Sequence, residues 1–328
     1  MTVPEICGIQ AERSRAFPTV LLLNGQGDVR MSSTEKKKKK RGDRRDARWV
    51  KDVPGMQTIM CDLMPNRADC EVYLHDTIDA TALMKYLEKK NAEHPEYKTT
   101  LFHAFICVVA RMLRERPKMN YFISGHRMFE HNEISMCFVV KRRFHDYAEE
   151  ALMTLVPKDE DTLDTVSRKI VGDVRETRKS EHATGGVDLW LDRVGAIPRL
   201  LRMFIVRVVR WLDFWGLVPR TFTEGDPNYC SVLLSNLGSI KGPAVYHHLN
   251  NYGTNSIVVT IGTLRKAEII RDDGTKELRD VFDIGATLDE RIGDGFYFVR
   301  SLNLVKYMFA HPELLDKPIG EPSNYDYK

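Results

Sequence analysis

Three stretches of this sequence hold side chains able to donate to a developing charge or to move a proton. Ser235-Asn236-Leu237-Gly238 follows the apolar run Val232-Leu233-Leu234. A serine hydroxyl there is a donor for the oxyanion of a tetrahedral intermediate. Asp289-Glu290-Arg291-Ile292-Gly293-Asp294-Gly295 brings three carboxylates together before an apolar helix pattern. A carboxyl group with an ordinary pKa of about 4.3 is a weak base at neutrality unless burial raises it. Arg291, next in sequence to Glu290, opposes such a rise. His247-His248 supplies two imidazoles, whose ordinary pKa of about 6.5 suits proton transfer near neutral pH. They read as a base or a polar-ligand contact on one side, and as loop or interface histidines on the other.

Other titratable groups carry less chemistry. His103 falls on an apolar helix face and reads as a hydrogen-bonded core residue. Cys7, Cys61, Cys70, Cys107, Cys137 and Cys230 include no C-x-x-C pair and have no histidine at ligand spacing. No metal site is expected, and the cysteines read as reduced core residues of a cytoplasmic protein.

These groups need a scaffold. The pattern predicts a short strand at 71–74, a helix over 79–93, and a second helix from Leu101 capped by Thr99 or Thr100 and ended by Pro117. Strands follow at 121–123, 134–141 and 151–156, then a charged helix over 162–178 and a break at Gly185-Gly186. A strand at 229–235 leads into the Ser235 motif. A loop through the histidine pair leads to a β-branched strand over 256–264. Asp272-Asp273-Gly274 turns the chain into a return strand over 281–288, and an amphipathic helix runs from Gly295 to Ala310. Helices alternating with strands and a hairpin imply an α/β fold: a two-layer sandwich whose mixed β-sheet is covered by helices.

The 328 residues are 43% apolar and 29% charged, values that exclude collagenous, disulfide-stapled and wholly disordered chains. The net charge is only +3, and it is unevenly placed. Residues 35–52 contain ten Lys or Arg against four Asp or Glu. Basicity confined to one terminal stretch argues against nucleic-acid binding. Residues 1–48 read as a disordered basic segment, with Met31 a candidate start. Residues 49–316 read as one domain and 317–328 as a C-terminal tail.

Residues 196–219, AIPRLLRMFIVRVVRWLDFWGLVP, form an inserted amphipathic helix. Arg199, Arg202, Arg207, Arg210 and Asp213 share one side, while Phe204, Ile205, Val208, Leu212 and Trp215 take the other. The stretch is too charged to span a bilayer. It reads either as an interfacial helix on an anionic membrane, together with the lysine run, or as a helix packed on protein.

Three C-terminal pieces stand in a telling order: Ser235 to Gly238, the strand ending in Ile261-Gly262, and Leu288 to Gly295 before a helix that closes in His311-Pro312-Glu313-Leu314-Leu315. This order resembles the catalytic domain of the 2-oxoacid dehydrogenase acyltransferases and, more distantly, chloramphenicol acetyltransferase. The resemblance covers roughly residues 51–315. It implies a chloramphenicol acetyltransferase-like fold and a homotrimer with its active site in a channel between subunits. Coenzyme A or an acyl-coenzyme A would enter as substrate, with no tightly bound cofactor.

By the same resemblance, Ser235 is the oxyanion donor, and Asn236, Gly238 and Gly295 border the substrate. Asp294 pairs with an arginine and holds the turn. Position 290, where the family carries its histidine base, is Glu290. His247 and His248 are the substitutes nearest in sequence. With no lipoyl or peripheral-subunit-binding segment in view, a stand-alone trimer is expected. The resulting expectation is a cytoplasmic acyltransferase, peripheral to the membrane, acting on a small-molecule donor and acceptor. The alternative is a catalytically inactive trimer serving as a ligand-binding, scaffold or membrane-surface protein.

Overall fold

The structure, a computed structural model, describes residues 39–93, 96–141, 150–179, 193–270 and 273–327. Residues 1–38, which include Met31, and the Gly185-Gly186 break lie outside the described residues. Among those described, a seven-stranded sheet forms from β2 (Glu71–Asp79), β5 (Met136–Lys141), β6 (Glu150–Leu155), β7 (Val232–Asn236), β8 (Ile257–Ile261), β9 (Arg265–Ile270) and β10 (Lys276–Asp289). Its order is β2-β10-β8-β7-β5-β6, with β9 pairing β10. The β5–β7 and β7–β8 pairs are parallel and the others antiparallel. This is the mixed sheet that the sequence predicts.

Strand β8, Ile-Val-Val-Thr-Ile, is buried along its whole length. Four of its five residues are β-branched aliphatics, which suit a central strand covered on both faces. On one face lie α2 (Thr81–Glu93), α3 (Leu101–Glu115), α4 (Leu163–Lys179) and α6 (Gly295–Ala310). Phe105 of α3, Phe282 of β10 and Phe309 of α6 meet with ring centroids 5.4–6.1 Å apart and knit the layers. Thr100, not Thr99, caps α3, in a reciprocal box with His103. His103 is 7% exposed, and burial pushes its imidazole down to about 4.

A three-stranded sheet, β1 (Ala47–Trp49), β4 (Arg127–His131) and β3 (Tyr121–Ser124), packs Ala47, Phe122 and Phe129 into a second small core beside α1 (Gly55–Leu63). Residues 39–48, read above as disordered, are therefore built into the body. Ala47 is fully buried, Arg44 donates to Ser124 and Asp46, and Arg45 donates to the Val218 carbonyl. The C-terminal segment is likewise packed rather than a free tail. Ile319 is buried and Glu115 receives hydrogen bonds from Ser323. Both ends contain polar residues that satisfy buried or half-buried partners, a pattern that composition does not reveal.

The inserted helix, α5, spans Arg199–Phe214, and Gly216 at φ +65° turns the chain beyond it. Its inward face differs from the one predicted. The sole buried residue of α5 is Asp213, placed above on the polar side, while Leu200, Phe204 and Trp211 stand 59–82% exposed. Hydrogen bonding, not apolar packing, docks this helix.

Candidate active site

Ser235 lies near the C-terminal end of β7, paired with Thr260, which pairs in turn with Gly285 of β10. Val232 and Leu234 enter the core, so the alternation of a strand turns Ser235 to the face away from the helices. Beyond it, Asn236 accepts a hydrogen bond from the Ser239 amide and shapes a single 3-10 turn, Leu237–Ile240. Gly238 is a close-approach glycine: a Cβ there would stand 2.4 Å from the Gly262 carbonyl. Asn236 and Gly238 thus hold the Ser235 turn against the end of β8.

The loop from Gly242 to Gly253 crosses that same face. Val245 is bonded through both its amide and its carbonyl to the Thr260 hydroxyl. Gly285 leaves the room: its Cβ would stand 2.7 Å from the Val245 carbonyl. Tyr246 packs on Tyr73, and Leu249 is fixed by Glu71, the register partner of Asp289. His247 and His248 lie between these anchors, exposed, with stacked rings and a 3.0 Å contact from His247 Nδ1 to the His248 carbonyl.

Glu290 opens a 3-10 turn, Glu290–Ile292, at the far end of β10. The register sets Gly285 across from Thr260, so five residues of strand, about 16 Å at ~3.3 Å per residue, separate the level of Ser235 from that of Glu290. One chain therefore carries the two groups at opposite ends of its strands. Glu290 is half-buried.

The resemblance gives the arginine-paired carboxylate to Asp294. The structure gives it to Asp289. Asp294 is exposed and caps α6, accepting from the Tyr297 amide at 2.7 Å, and Gly295 is the first residue of that helix with open space around it. Asp289 is fully buried. Arg291 holds it at 2.6 and 2.8 Å, and Arg67 Nε lies 3.6 Å away. Arg291 also donates to the Met64 carbonyl, while Arg67 donates to the carbonyls of Ile123, Asn250 and Gly253. Burial presses the Arg67 guanidinium below its ordinary range. Arg291 stays above its own because Asp289 outweighs the effect of burial. This buried pair clamps the 290 turn onto α1 and β3.

Beside the clamp is a cavity of about 180 Å³ whose lining includes Arg67, Ser124, His126, Arg210, Asp213 and Arg291. His126 Nδ1 lies 2.9 Å from Asp62 Oδ1. Asp213 accepts from the Tyr229 hydroxyl at 2.7 Å and from the Gly253 amide at 2.9 Å. Asp62, Arg67 and His126 did not stand out in the sequence, and Asp213 was read only as part of the polar side of the inserted helix. Two signals were available: Gly125-His126, a two-residue turn between apolar alternations, and Asp213 within an arginine-rich helix. Five of the six cysteines are described; all five are buried and free. Among the described residues no cluster of His, Cys, Asp and Glu could hold a metal ion.

Residues 50–167 match the family described as 2-oxoacid dehydrogenases acyltransferase (catalytic domain). None of the curated proteins is similar to the chain in sequence. Solved structures with a similar fold include a probable dihydrolipoamide acetyltransferase from Listeria monocytogenes, 18% identical over 85% of this chain and 99% of that one, with a TM-score of 0.53. The dihydrolipoamide acetyltransferase of Azotobacter vinelandii is 13% identical over 81% and 93%, with a TM-score of 0.54. A truncated catalytic core of the 2-oxoacid dehydrogenase multienzyme complex from Thermoplasma acidophilum is 13% identical over 80% and 98%, with a TM-score of 0.50. Over residues 50–167 the chain is thus similar in sequence to the catalytic domain of the 2-oxoacid dehydrogenase acyltransferases, and its fold is similar to that of the solved acyltransferase cores.

Proposed function

We propose that this protein transfers an acyl group between coenzyme A and a small acceptor, in a channel formed where the Ser235 end of one chain meets the Glu290 end of another in a homotrimer. The carrying observation is the separation of those two ends within one chain, each bordered by exposed apolar residues. Ile240 and Val245 flank the Ser235 end, while Leu63, Phe296 and Val299 flank the Glu290 end. Exposed apolar patches of this kind mark association surfaces. The Azotobacter enzyme supports the assignment, since its studied mechanistic residues are a serine, a histidine and an asparagine four residues further on. Ser235, Glu290 and Asp294 repeat that order, and the last two repeat the four-residue step.

In this reading the Ser235 hydroxyl donates to the oxyanion as the acyl carbon becomes tetrahedral. Asn236 and Gly238 hold that hydroxyl in place, and Gly295 and His248 border the channel with His247. Glu290 stands where an imidazole is expected, so the proton acceptor differs from the family's. Thiol release from acetyl-coenzyme A with a panel of thiol acceptors tests the reading, alongside sedimentation equilibrium. Turnover by a trimer, reduced about 100-fold or more in kcat by Ser235→Ala, is the expected result. A monomer, or Ser235→Ala at full rate, overturns it. Absence of turnover in an intact trimer favours the non-catalytic, ligand-binding alternative.

A second reading concerns location and rests on α5. Leu200 is 82% exposed, Phe204 62% and Trp211 59%, with Arg199, Arg207 and Arg210 alongside. Apolar side chains flanked by arginines suit the headgroup region of an anionic bilayer. Among the described residues no helix is long and apolar enough to cross a membrane. In this reading α5 seats the protein on an anionic membrane surface. Flotation with phosphatidylglycerol vesicles, lost in Phe204→Ser/Trp211→Ser, is the expected outcome; equal flotation of both forms removes the reading.

A further inference from the structure

The geometry points to the Asp62–His126 pair as the proton acceptor that position 290 lacks, at a cavity that takes a small nucleophile bearing an anionic group recognised by Arg210. This rests on the acyl-transfer reading above for its chemistry, and on the cavity for its site.

His126 is set at the tip of the β3–β4 hairpin. The register pairs Ser124 with Arg127, leaving Gly125 and His126 as the two-residue loop, both at positive φ (+56° and +60°). Such a turn follows the twist of the strands and is usually built from Gly or Asn. Histidine is one of the few non-glycine residues that adopt this backbone readily, and the turn sets the direction from which its ring departs. Gly125 packs the hairpin onto α5, since a Cβ on it would stand 2.6 Å from the Phe214 carbonyl. The Phe214 ring lies edge-on to the imidazole at 5.5 Å. The ring is thus positioned by the turn, by Phe214 and by Asp62.

An ionised Asp62 only accepts, so the 2.9 Å contact fixes the proton on Nδ1 and leaves the Nε2 lone pair available. No hydrogen bond to Nε2 is formed among the described residues, and His126 lines the cavity. The carboxylate-oriented imidazole is the arrangement that activates a weak nucleophile. The site is joined to the family's catalytic turn. The Glu290–Ile292 turn packs on α1, which carries Asp62, and on β3, which leads to His126, while Arg291 lines the same cavity.

The charges around the cavity define the ligand. Arg67 and Arg291 are committed to Asp289 and to backbone carbonyls, and Asp213 is committed to Tyr229 and Gly253. Arg210 alone of the three lining arginines forms no ion pair or hydrogen bond among the described residues, and it is exposed at the α5 edge of the cavity. A carboxylate on the nucleophile offers it a bidentate partner. For a thiol acceptor the step is balanced. The S–H proton passes to Nε2 as sulfur bonds to the acyl carbon, and the carbonyl electron pair moves onto oxygen. Collapse of that oxyanion expels the coenzyme A thiolate, which takes the proton back from the imidazolium.

The test uses the full chain, acetyl-coenzyme A, and either 3-mercaptopropionate or its neutral amide as acceptor. His126→Asn suits the left-handed backbone and keeps a polar side chain. It should lower kcat at least 100-fold without moving the melting temperature. Arg210→Gln should raise KM for the acid about tenfold and leave the amide unchanged. Full turnover by His126→Asn overturns the base, and equal acid and amide kinetics in the unmodified protein overturn the anion contact. Calorimetry of 3-mercaptopropionate alone separates the two layers. Binding that Arg210→Gln weakens, in a protein with no turnover, upholds the ligand site while sinking the acyl-transfer reading and the base role with it. An absence of binding overturns the site itself.

Discussion

The guanidinium of Arg291 grips both carboxylate oxygens of Asp289, Nε to Oδ1 at 2.8 Å and Nη2 to Oδ2 at 2.6 Å, although the two residues are only two apart in sequence. Both side chains are sealed from solvent, at 1% and 0% exposure. Arg67 adds a second cation from a distant segment at 3.6 Å. Removing the shared anion leaves two buried cations without compensation. Asp289→Asn should therefore cost about 3–5 kcal/mol, read from urea denaturation. A loss under 1 kcal/mol would show that the clamp carries little of the fold's stability.

Asp213 ties the last full turn of α5 to two separate loops, through Tyr229 and the Gly253 amide. Burial and the Asp213 charge together keep the Tyr229 hydroxyl protonated far beyond its usual range. Asp213→Asn replaces one acceptor oxygen by a donor that must face either the Tyr229 hydroxyl or the Gly253 amide. We expect a loss of about 1.5–3 kcal/mol, with faster amide exchange along α5 and unchanged exchange in β8. Uniform acceleration across the chain would contradict the view of Asp213 as a local fastening.

Two glycines separate a steric cost from a backbone cost. Gly253 and Gly274 both adopt positive φ, +84° and +80°. A Cβ on Gly253 would stand 2.2 Å from the Asn228 carbonyl, whereas nothing lies within 4 Å of one on Gly274. Gly274→Ala should cost about 1–2 kcal/mol from the left-handed conformation alone. Gly253→Ala should cost clearly more, in paired thermal melts. Equal shifts would mean that the loop simply moves aside.

Acid should weaken the fold through its buried histidines. Burial holds His103 at about 4 in the folded state, against about 6.5 when unfolded. The unfolded chain then binds the extra proton between these values. Stability from this group is complete above pH 6.5 and is lost as pH falls toward 4, by roughly 3 kcal/mol. His131, also buried, is shifted in the same direction. His103→Gln keeps a side chain that can complete the capping box and removes this titration. Its urea midpoint should vary less with pH between 4 and 6.5 than that of the unmodified protein. Parallel curves would exclude His103 as a source of acid sensitivity.

The strands and helices that carry strong periodic patterns were legible in the sequence. Helix α6 spans the predicted Gly295–Ala310, and α3 starts at the predicted Leu101 and stops short of Pro117. Strand β10 is longer than the pattern suggested, because its first half pairs with β9 as an exposed hairpin where polar residues hide the alternation. Strands β1 and β4 were missed, since Ala-Arg-Trp and Arg-Met-Phe-Glu-His are short and mixed in polarity. Ser235 and Glu290 could be placed by motif order. The Asp289–Arg67 contact could not, because its partners are 222 residues apart and pairing of charges across a fold leaves no local trace. The same holds for Asp62 and His126, which a helix and a hairpin bring together across 64 positions.

Helix α5 is fastened at its last turn, while its first turns meet solvent. Neither of the two main-chain sheets depends on it for a strand. A segment joined in this manner is a removable module: it can be exchanged or redecorated over evolutionary time, redirecting where the molecule settles while the ancestral scaffold keeps its shape.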